Sequence, residues 1–413
     1  MRNLRGTTWL WILVAVLAAG CGANTEGDTE KAKPDGLQTS FPGRDPSLQR
    51  EADDTLHVVY VDEQPEGPAV FYRRLGPRAF GPVRVSPAGM SVSAHGEAPP
   101  TLQILPGGGL TVAYAAALPG KWKNEIRLQR STDGGAHWGA AERLHSERIG
   151  AHSYLSAAVT AAGEPVFAWL DDSTGHMGLH AKLGASPPMT LDTESCQCCG
   201  TALLAGRKGK VWLAYRDSDD DIRDFRVLRT DGAGGFDHGR TLSDDQWKIQ
   251  GCPHTGARLT QTPDGALWAA WFTAGVGQPG VYAAVSTDDG ETFSARTLVT
   301  AARPGQAVRH PELGALPDGS VVVLYESEGD GQRALVARTR DARTGVWQEP
   351  QRVASGGLYP RWALGGNRAA LAFTCPTKGG SQVVVTDWAT VPKEGLAGLT
   401  CDGSPASHSG HSS

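Results

Sequence analysis

One phrase recurs along the chain and restricts it to very few architectures: a turn rich in glycine or aspartate, then a short apolar strand that closes on an aromatic residue. It reads Ala52-Asp53-Asp54 before Leu56–Tyr60, Pro106-Gly107-Gly108-Gly109 before Leu110–Tyr114, and Ala162-Gly163-Glu164 before Val166–Trp169. Four more copies follow: Arg207-Lys208-Gly209 before Val211–Tyr215, Pro263-Asp264-Gly265 before Leu267–Trp271, Pro317-Asp318-Gly319 before Val321–Tyr325, and Gly365-Gly366-Asn367 before Ala369–Phe373. The aromatic positions lie 46 to 56 residues apart. A period near fifty with several short strands per unit predicts an all-β propeller, whose blades bury their faces only against neighbouring blades. The 53 glycines and 26 prolines of the 413-residue chain fit an architecture dominated by turns. Seven repeats favour seven blades, with six as the alternative. The last repeat lacks an outer strand, which either the segment near Leu37–Phe41 supplies or a six-bladed closure makes unnecessary.

Two strings sharpen the expectation. Ser131-Thr132-Asp133-Gly134-Gly135-Ala136-His137-Trp138 and Ser286-Thr287-Asp288-Asp289-Gly290-Glu291-Thr292-Phe293 both fit Ser-x-Asp-x-Gly-x-x-Trp/Phe, in which the aspartate and the glycine tie a tight turn between a blade's two outer strands. Thr230–Phe236 and Thr339–Trp347 look like degraded copies. In these motifs the chain resembles the sialidase superfamily of Asp-box propellers. A narrower resemblance covers about Leu191–Thr273, through Cys196-Gln197-Cys198-Cys199, Tyr215-Arg216-Asp217, Ile222-Arg223-Asp224, Trp247-Lys248-Ile249-Gln250-Gly251-Cys252-Pro253 and Ala270-Trp271-Phe272-Thr273. These strings are similar to those of bacterial exported sialidase-like lipoproteins. The resemblance implies the fold; it does not by itself imply the chemistry.

The first residues read as an export signal: Arg2 and Arg5, an apolar run from Trp9 to Ala19 too short to span a bilayer, then Gly20-Cys21. Leu17-Ala18-Ala19-Gly20-Cys21 resembles a bacterial lipobox, which implies acylation of Cys21 and a partner in the lipid bilayer. Gly22 after the cysteine resembles the outer-membrane sorting signal if the host has two membranes; otherwise the cell surface is expected. The predicted layout is a signal peptide over 1–20, a lipidated tether over 21–43, the propeller over 44–390 and a polar tail over 391–413. The net charge of −5 becomes more negative once Arg2 and Arg5 are removed, so no basic surface is left for nucleic acid. No phosphate-cradling loop, His-Glu-x-x-His or Gly-x-Ser-x-Gly string occurs.

Propeller geometry places residues by their position in the repeat. The starts of innermost strands and the ends of second strands share one face, the usual ligand face. That face collects His254, Arg309, His310, Glu312, Tyr359 and Arg361 from strand starts and Arg216, Asp217 and Glu326 from strand ends, with Arg223, Asp224 and Trp247 in the loops beyond. A ligand-binding role for a glycan or another small envelope ligand is the first expectation, through Arg216, Asp217, Arg223, Asp224, Trp247, His254 and His310. A sialidase-type hydrolase is the alternative. It needs a tyrosine nucleophile, for which Tyr359 is the candidate, with Glu312 or Glu326 as its base, and a three-arginine carboxylate clamp, for which Arg216, Arg309 and Arg361 are the candidates.

The cysteines leave three readings open. Besides Cys21 there are six, and an even number in an exported chain suggests disulfides; Cys375 and Cys401 are placed to staple the C-terminus. For Cys196, Cys198, Cys199 and Cys252 a disulfide joining blades 4 and 5 is the first expectation. A soft metal, copper or zinc, held by these thiols with His254 is the second, and thiol redox work the third.

Overall fold

The computed structural model describes residues 36–232, 234–396 and 401–403. Seven four-stranded antiparallel sheets form the seven blades of a β-propeller. In blade 1 the order from the channel outward is β2 (Arg44–Arg50), β3 (Leu56–Asp62), β4 (Ala69–Leu75) and β5 (Phe80–Arg84). Blades 2 to 6 repeat this pattern, with innermost strands β6 (Thr101–Ile104), β10 (His152–Val159), β14 (Ala202–Ala205), β18 (Arg258–Gln261) and β22 (Gln306–Ala315). Their second strands are β7 (Leu110–Ala117), β11 (Pro165–Asp171), β15 (Val211–Arg216), β19 (Leu267–Thr273) and β23 (Val321–Gly329). The second strands are the apolar segments of the repeat. Each is flanked by blades on both faces, so it carries an almost unbroken apolar run rather than an alternating one. The hydrophobic clusters accordingly straddle blade junctions: Val59 and Tyr72 of blade 1 pack with Leu102 and Tyr114 of blade 2, and Trp212 of blade 4 with Trp271 of blade 5.

Blade 7 joins the two parts of the chain. Its inner strands β26 (Leu358–Gly365), β27 (Arg368–Thr377) and β28 (Gly380–Asp387) come late in the sequence, and its outermost strand β1 (Gln38–Pro42) comes first, paired antiparallel with β28 from Gln38↔Thr386 to Pro42↔Gln382. The missing outer strand is thus supplied from the N-terminal side, and the propeller starts before the expected boundary at residue 44. Asp387 locks the junction: it accepts from Leu37 N at 2.9 Å and Arg368 Nη2 at 2.7 Å, and pairs with the buried Arg50. The expected polar tail is also shorter than 391–413. Leu396 is buried, its N–H bonds Val353 O at 2.8 Å, and Cys375–Cys401 is a disulfide closing 26 residues. The signal segment 1–20, the lipidation candidate Cys21 and the final residues 404–413 lie outside the described residues.

The turns between first and second strands and those between third and fourth strands share the lower end of the ring. Both Ser-x-Asp-x-Gly strings fold as closed hydrogen-bonded turns there. Ser131 Oγ donates to Asp133 at 2.8 Å and accepts from Gly135 N at 2.9 Å, while Asp133 accepts from His137 N at 3.0 Å. Ser286, Asp288, Gly290 and Thr292 repeat the pattern at 2.7, 2.9 and 3.0 Å. Trp138 meets the Tyr72 ring edge-on at 5.6 Å, and Phe293 packs against the blade 4–5 cluster.

Candidate functional site

At the upper end the innermost strands are not regular. In four blades two residues oppose one: Asp45-Pro46, Tyr154-Leu155, His310-Pro311 and Tyr359-Pro360 each bulge opposite the aromatic residue of the repeat. The first residue of each bulge has a left-handed backbone, with φ of 51° at Asp45, 55° at Tyr154, 49° at His310 and 51° at Tyr359; His254, in the loop leading into blade 5, has φ 48°. Side-chain-bearing residues avoid this region, and a following proline disfavours helical conformations further. Each such residue costs about 1–3 kcal/mol, and this kind of strain concentrates where side chains must be held in a set position.

Just below the bulges, each innermost strand pairs one residue with the residue that precedes the repeat aromatic. These seven are Ser47, Thr101, Ser156, Ala202, Arg258, Glu312 and Arg361. All seven line one cavity of about 200 Å³ on the channel axis. Arg258 Nε donates to Glu312 Oε2 at 3.1 Å, Arg361 Nη1 lies 3.7 Å from the same oxygen, and Arg361 Nη2 donates to Gly96 O at 2.5 Å. Burial and the neighbouring Arg258 together lower the Arg361 pKa.

Above this ring, acids and aromatic rings converge. His310 Nε2 lies 3.1 Å from Glu97 Oε1, and its Nδ1 lies 2.9 Å from Glu326 Oε1, at contact distance but outside hydrogen-bond alignment. Glu326 Oε1 also accepts from Tyr359 N at 2.7 Å. The His310 and Tyr359 rings are 4.7 Å apart, and His95 meets Tyr154 edge-on at 5.4 Å. Glu97 Oε2 is buried with no hydrogen-bond partner. Burial opposes a charge on His310, but the carboxylates of Glu326 and Glu97 outweigh it and raise the imidazole above its ordinary value. Burial, then Glu326, Glu97 and Asp45, push the Tyr359 phenol up; burial, then Cys198 and Glu97, do the same to Tyr154. Tyr154 thus packs in one cluster with Cys196, Cys198 and Cys199 while feeling the charge of Glu97.

The cysteine half is organised by Arg216 at the end of β15. Its guanidinium is buried, donates to Arg223 O at 2.6 Å, Phe272 O at 3.0 Å and Thr255 O at 3.3 Å, and lies over the rings of Phe225 and Trp247. One side chain therefore ties together a loop of blade 4, the residue after His254, and the end of β19. Asp224 holds the adjoining loop by accepting from Gln246 N at 2.8 Å and Trp247 N at 3.1 Å; Asp217 pairs with Arg226 at 3.4 Å. Within this frame Cys196, Cys198 and Cys199 are buried and Cys252 is exposed, all four as thiols. Cys196 Sγ is 3.0 Å from Cys199 Sγ and 3.8 Å from Cys198 Sγ, and Arg223 Nη1 is 3.4 Å from Cys196 Sγ. Hydrogen bonds from Cys198 and Cys199, then Arg216, hold the Cys196 thiol far below its ordinary value, while burial pushes Cys199 up to about 12.

Several sequence expectations change at this level. The disulfide expected from the Cys-x-Cys-Cys run to Cys252 is not formed; the bonded pair is Cys375–Cys401. The three arginines expected to clamp a carboxylate have separate partners: Arg216 is committed to backbone carbonyls, Arg309 pairs with Glu328, and Arg361 faces Glu312 and Gly96. Glu312, one expected base, is held by Arg258, and Glu326, the other, accepts from the Tyr359 backbone N–H. Sequence reasoning missed Arg258. Its signal was available in the repeat, since it occupies the same position relative to Trp271 as Glu312 does to Tyr325.

No protein-family model and no curated protein matches the chain. Among solved structures it is similar to a protein of unknown function from Dyadobacter fermentans, at 17% identity over 84% of this chain and 95% of that one, TM-score 0.47. It is similar to the α-L-arabinanase of Penicillium chrysogenum complexed with arabinobiose, at 14% identity over 86% and 99%, TM-score 0.47. It is also similar to the Trypanosoma rangeli sialidase, at 12% identity over 86% of this chain and 60% of that chain, TM-score 0.46. At such identities the likeness concerns the fold of the propeller and not its chemistry.

Proposed function

We propose that the chain is a lipid-anchored envelope protein whose upper face binds a small polyhydroxylated ligand, a neutral glycan, in the pit above the channel. The observation that supports this most directly is the set of strained residues at one end of the ring: Asp45, Tyr154, His310 and Tyr359 hold left-handed backbones that a turn could have given to glycine. Aromatic faces and carboxylates in one pit are the groups that hold a sugar, the rings against its C–H faces and the acids accepting from its hydroxyls. The preference for a neutral ligand follows from the charges. Arg44 pairs with Asp45 and Glu63, and Arg258 and Arg361 share Glu312, so among the described residues of the pit each of these guanidinium groups already faces a carboxylate. A tyrosine nucleophile is activated by an adjacent base or by a lowered phenol pKa; burial and the neighbouring carboxylates raise that of Tyr359, and Glu312, one candidate base, is held by Arg258. Binding is therefore favoured over sialidase-type hydrolysis.

The test is a glycan array followed by calorimetry, using neutral oligosaccharides, arabinobiose among them, and sialosides. Glu97→Gln and Tyr359→Phe should each weaken the best ligand at least 10-fold, while Asp133→Ala at the lower end should leave it unchanged. No binding on the array, or equal loss in all three variants, would sink this reading. Turnover of a fluorogenic sialoside that disappears in Tyr359→Phe would replace it by the hydrolase. Incorporation of labelled palmitate, abolished by Cys21→Ala, tests the anchor separately.

A further inference from the structure

The cysteine half of the upper face does something the glycan reading does not use. Cys196, Cys198 and Cys199 place three sulfurs within 4.8 Å of one another, and Cys198, Cys252 and His254 place two sulfurs and an imidazole nitrogen within the same limit. Cys198 belongs to both trios, so the five donors form one continuous group. Soft thiolates select soft ions, and among the described residues Cys375 and Cys401 form a disulfide whereas these four do not.

Geometry narrows the ion. Three sulfurs around a centre with bonds of about 2.3 Å stand about 4.0 Å apart. The Cys196–Cys198 spacing of 3.8 Å meets this, and the 3.0 Å Cys196–Cys199 spacing has to open by about 1 Å. A structural zinc takes four tetrahedral ligands, whereas each trio here offers three. Three-coordinate sites that share a sulfur suit a monovalent closed-shell ion better. Charge is provided for as well: Arg223 lies 3.4 Å from Cys196 Sγ. Arg216 anchors both loops, taking the carbonyl of Arg223 and that of Thr255 beside His254. It acts as a positioning residue and not as a ligand.

We propose that Cys196, Cys198, Cys199, Cys252 and His254 form a Cu(I) site at the mouth of the propeller, with Cys198 as the shared ligand. The site is separate from the sugar pit and stands if that reading fails.

The experiment uses the full chain, extracted from membranes in detergent with its thiols reduced. It is titrated anaerobically with Cu(I) against a chromophoric Cu(I) chelator, with Zn(II) in a parallel arm. Copper should be retained in whole-number stoichiometry, with a sulfur shell at about 2.3 Å by X-ray absorption. Cys198→Ser should weaken retention at least 1000-fold and Cys252→Ser 10- to 100-fold, whereas His310→Gln, in the other half of the face, should change nothing. The wild-type absorption spectrum keeps the test decisive if Cys198→Ser does not fold. The proposal is overturned by loss of all copper to the chelator, by unchanged retention in Cys198→Ser, or by retention of zinc in preference to copper. Mass mapping of thiol-trapped protein that finds Cys196 and Cys199 joined as a disulfide overturns it equally.

Discussion

The two ends of the ring differ in which residues hold left-handed backbone along the innermost strands. At the lower end the chain reverses with positive φ at Gly107, Gly135, Gly163, Gly209, Gly265, Gly290 and Gly319, and at the turn aspartates Asp54 and Asp289. The upper-end connections use glycine as well, at Gly67, Gly175, Gly277 and Gly305, but where the chain enters the innermost strands positive φ falls on Asp45, Tyr154, His254, His310 and Tyr359. Glycine is the low-cost solution wherever only a turn is required. Where the sequence keeps a bulky or charged side chain in that conformation, the side chain itself is what has been retained. Polar groups add a narrower contrast: the lower end leaves Thr55 Oγ1 and Trp138 Nε1 without a partner, whereas the upper end leaves a carboxylate oxygen, Glu97 Oε2. The lower end closes turns; the upper end sets side chains in place.

The largest effect is expected from Arg216→Met. The substitution keeps the apolar contact with Phe225 and Trp247 but removes three charge-assisted bonds and leaves three carbonyls without their donor. Stability should fall by about 4 kcal/mol, read as a shift in the urea midpoint at constant slope. A loss under 1 kcal/mol would mean that Arg216 holds nothing together, and the comparison between ends would lose its upper framework. Second in size is Gly135→Ala. A Cβ there would stand 2.1 Å from Tyr72 Cε1 on a backbone at φ +95°, so clash and strain add, at about 2–3 kcal/mol. Ligand and metal binding should not change, because this glycine belongs to the lower end.

These two residues also show how much could be read from the sequence. Gly135 was legible, because a turn in a repeated string fixes both its place and its conformation. Arg216 was legible as an upper-face residue and illegible in its role, since its partners are backbone carbonyls from three separate segments. The same limit applies to Tyr359 and His310: periodicity put them on the correct face, but a two-against-one bulge depends on strand register, which a one-dimensional period does not carry. The blade count and the rescue of the last blade by residues 38–42 were both within reach of the sequence, the count from the repeat and the rescue as one of two ways to complete an unfinished blade. The Cys375–Cys401 staple was within reach as well, but the state of Cys196, Cys198, Cys199 and Cys252 was not, because an even count is compatible with every partition of six thiols.

A smaller, pH-dependent effect is expected where blade 3 meets the face. His152 Nε2 lies 3.1 Å from Asp171 Oδ2, with His145 stacked on His152 at 3.6 Å. Burial works against the His152 charge, but Asp171 outweighs it and raises the imidazole; Asp171 itself, despite its burial, is lowered by His152 and Ser173. A raised histidine contributes stability that is complete below its ordinary value near 6.5 and lost as pH rises through the raised one. A lowered aspartate contributes above its ordinary value of 3.8 and loses that as pH falls. His145, lowered to about 4 by burial and by His152, resists protonation and works in the opposite sense below pH 6.5. Unfolding free energies of wild type and His152→Gln, read from urea titrations, should therefore differ most below pH 6.5 and draw together as the pH rises above it. A constant difference across that range would show the histidine acting by shape alone.

The finest discrimination comes from Gly96→Ala, the upper-end counterpart of Gly135→Ala. A Cβ at Gly96 would also stand 2.1 Å from an aromatic ring, here that of Tyr359, but the Gly96 backbone lies outside the left-handed region, so alanine adds a clash without added strain. Tyr359 is half-buried whereas Tyr72 is fully buried, so its ring is the easier of the two to displace, and stability should fall by only about 1 kcal/mol. Function should respond in the reverse order: the displaced Tyr359 ring no longer stacks near His310, and sugar affinity should drop about 10-fold, a change of 1.4 kcal/mol in binding. The pair of alanine variants thus sets a clash with an aromatic ring at each end. If the lower one proves the more damaging to folding and the upper one the more damaging to binding, the division of labour between the two ends holds. If both act on stability alone, the strained residues of the upper face support the ring and not a ligand.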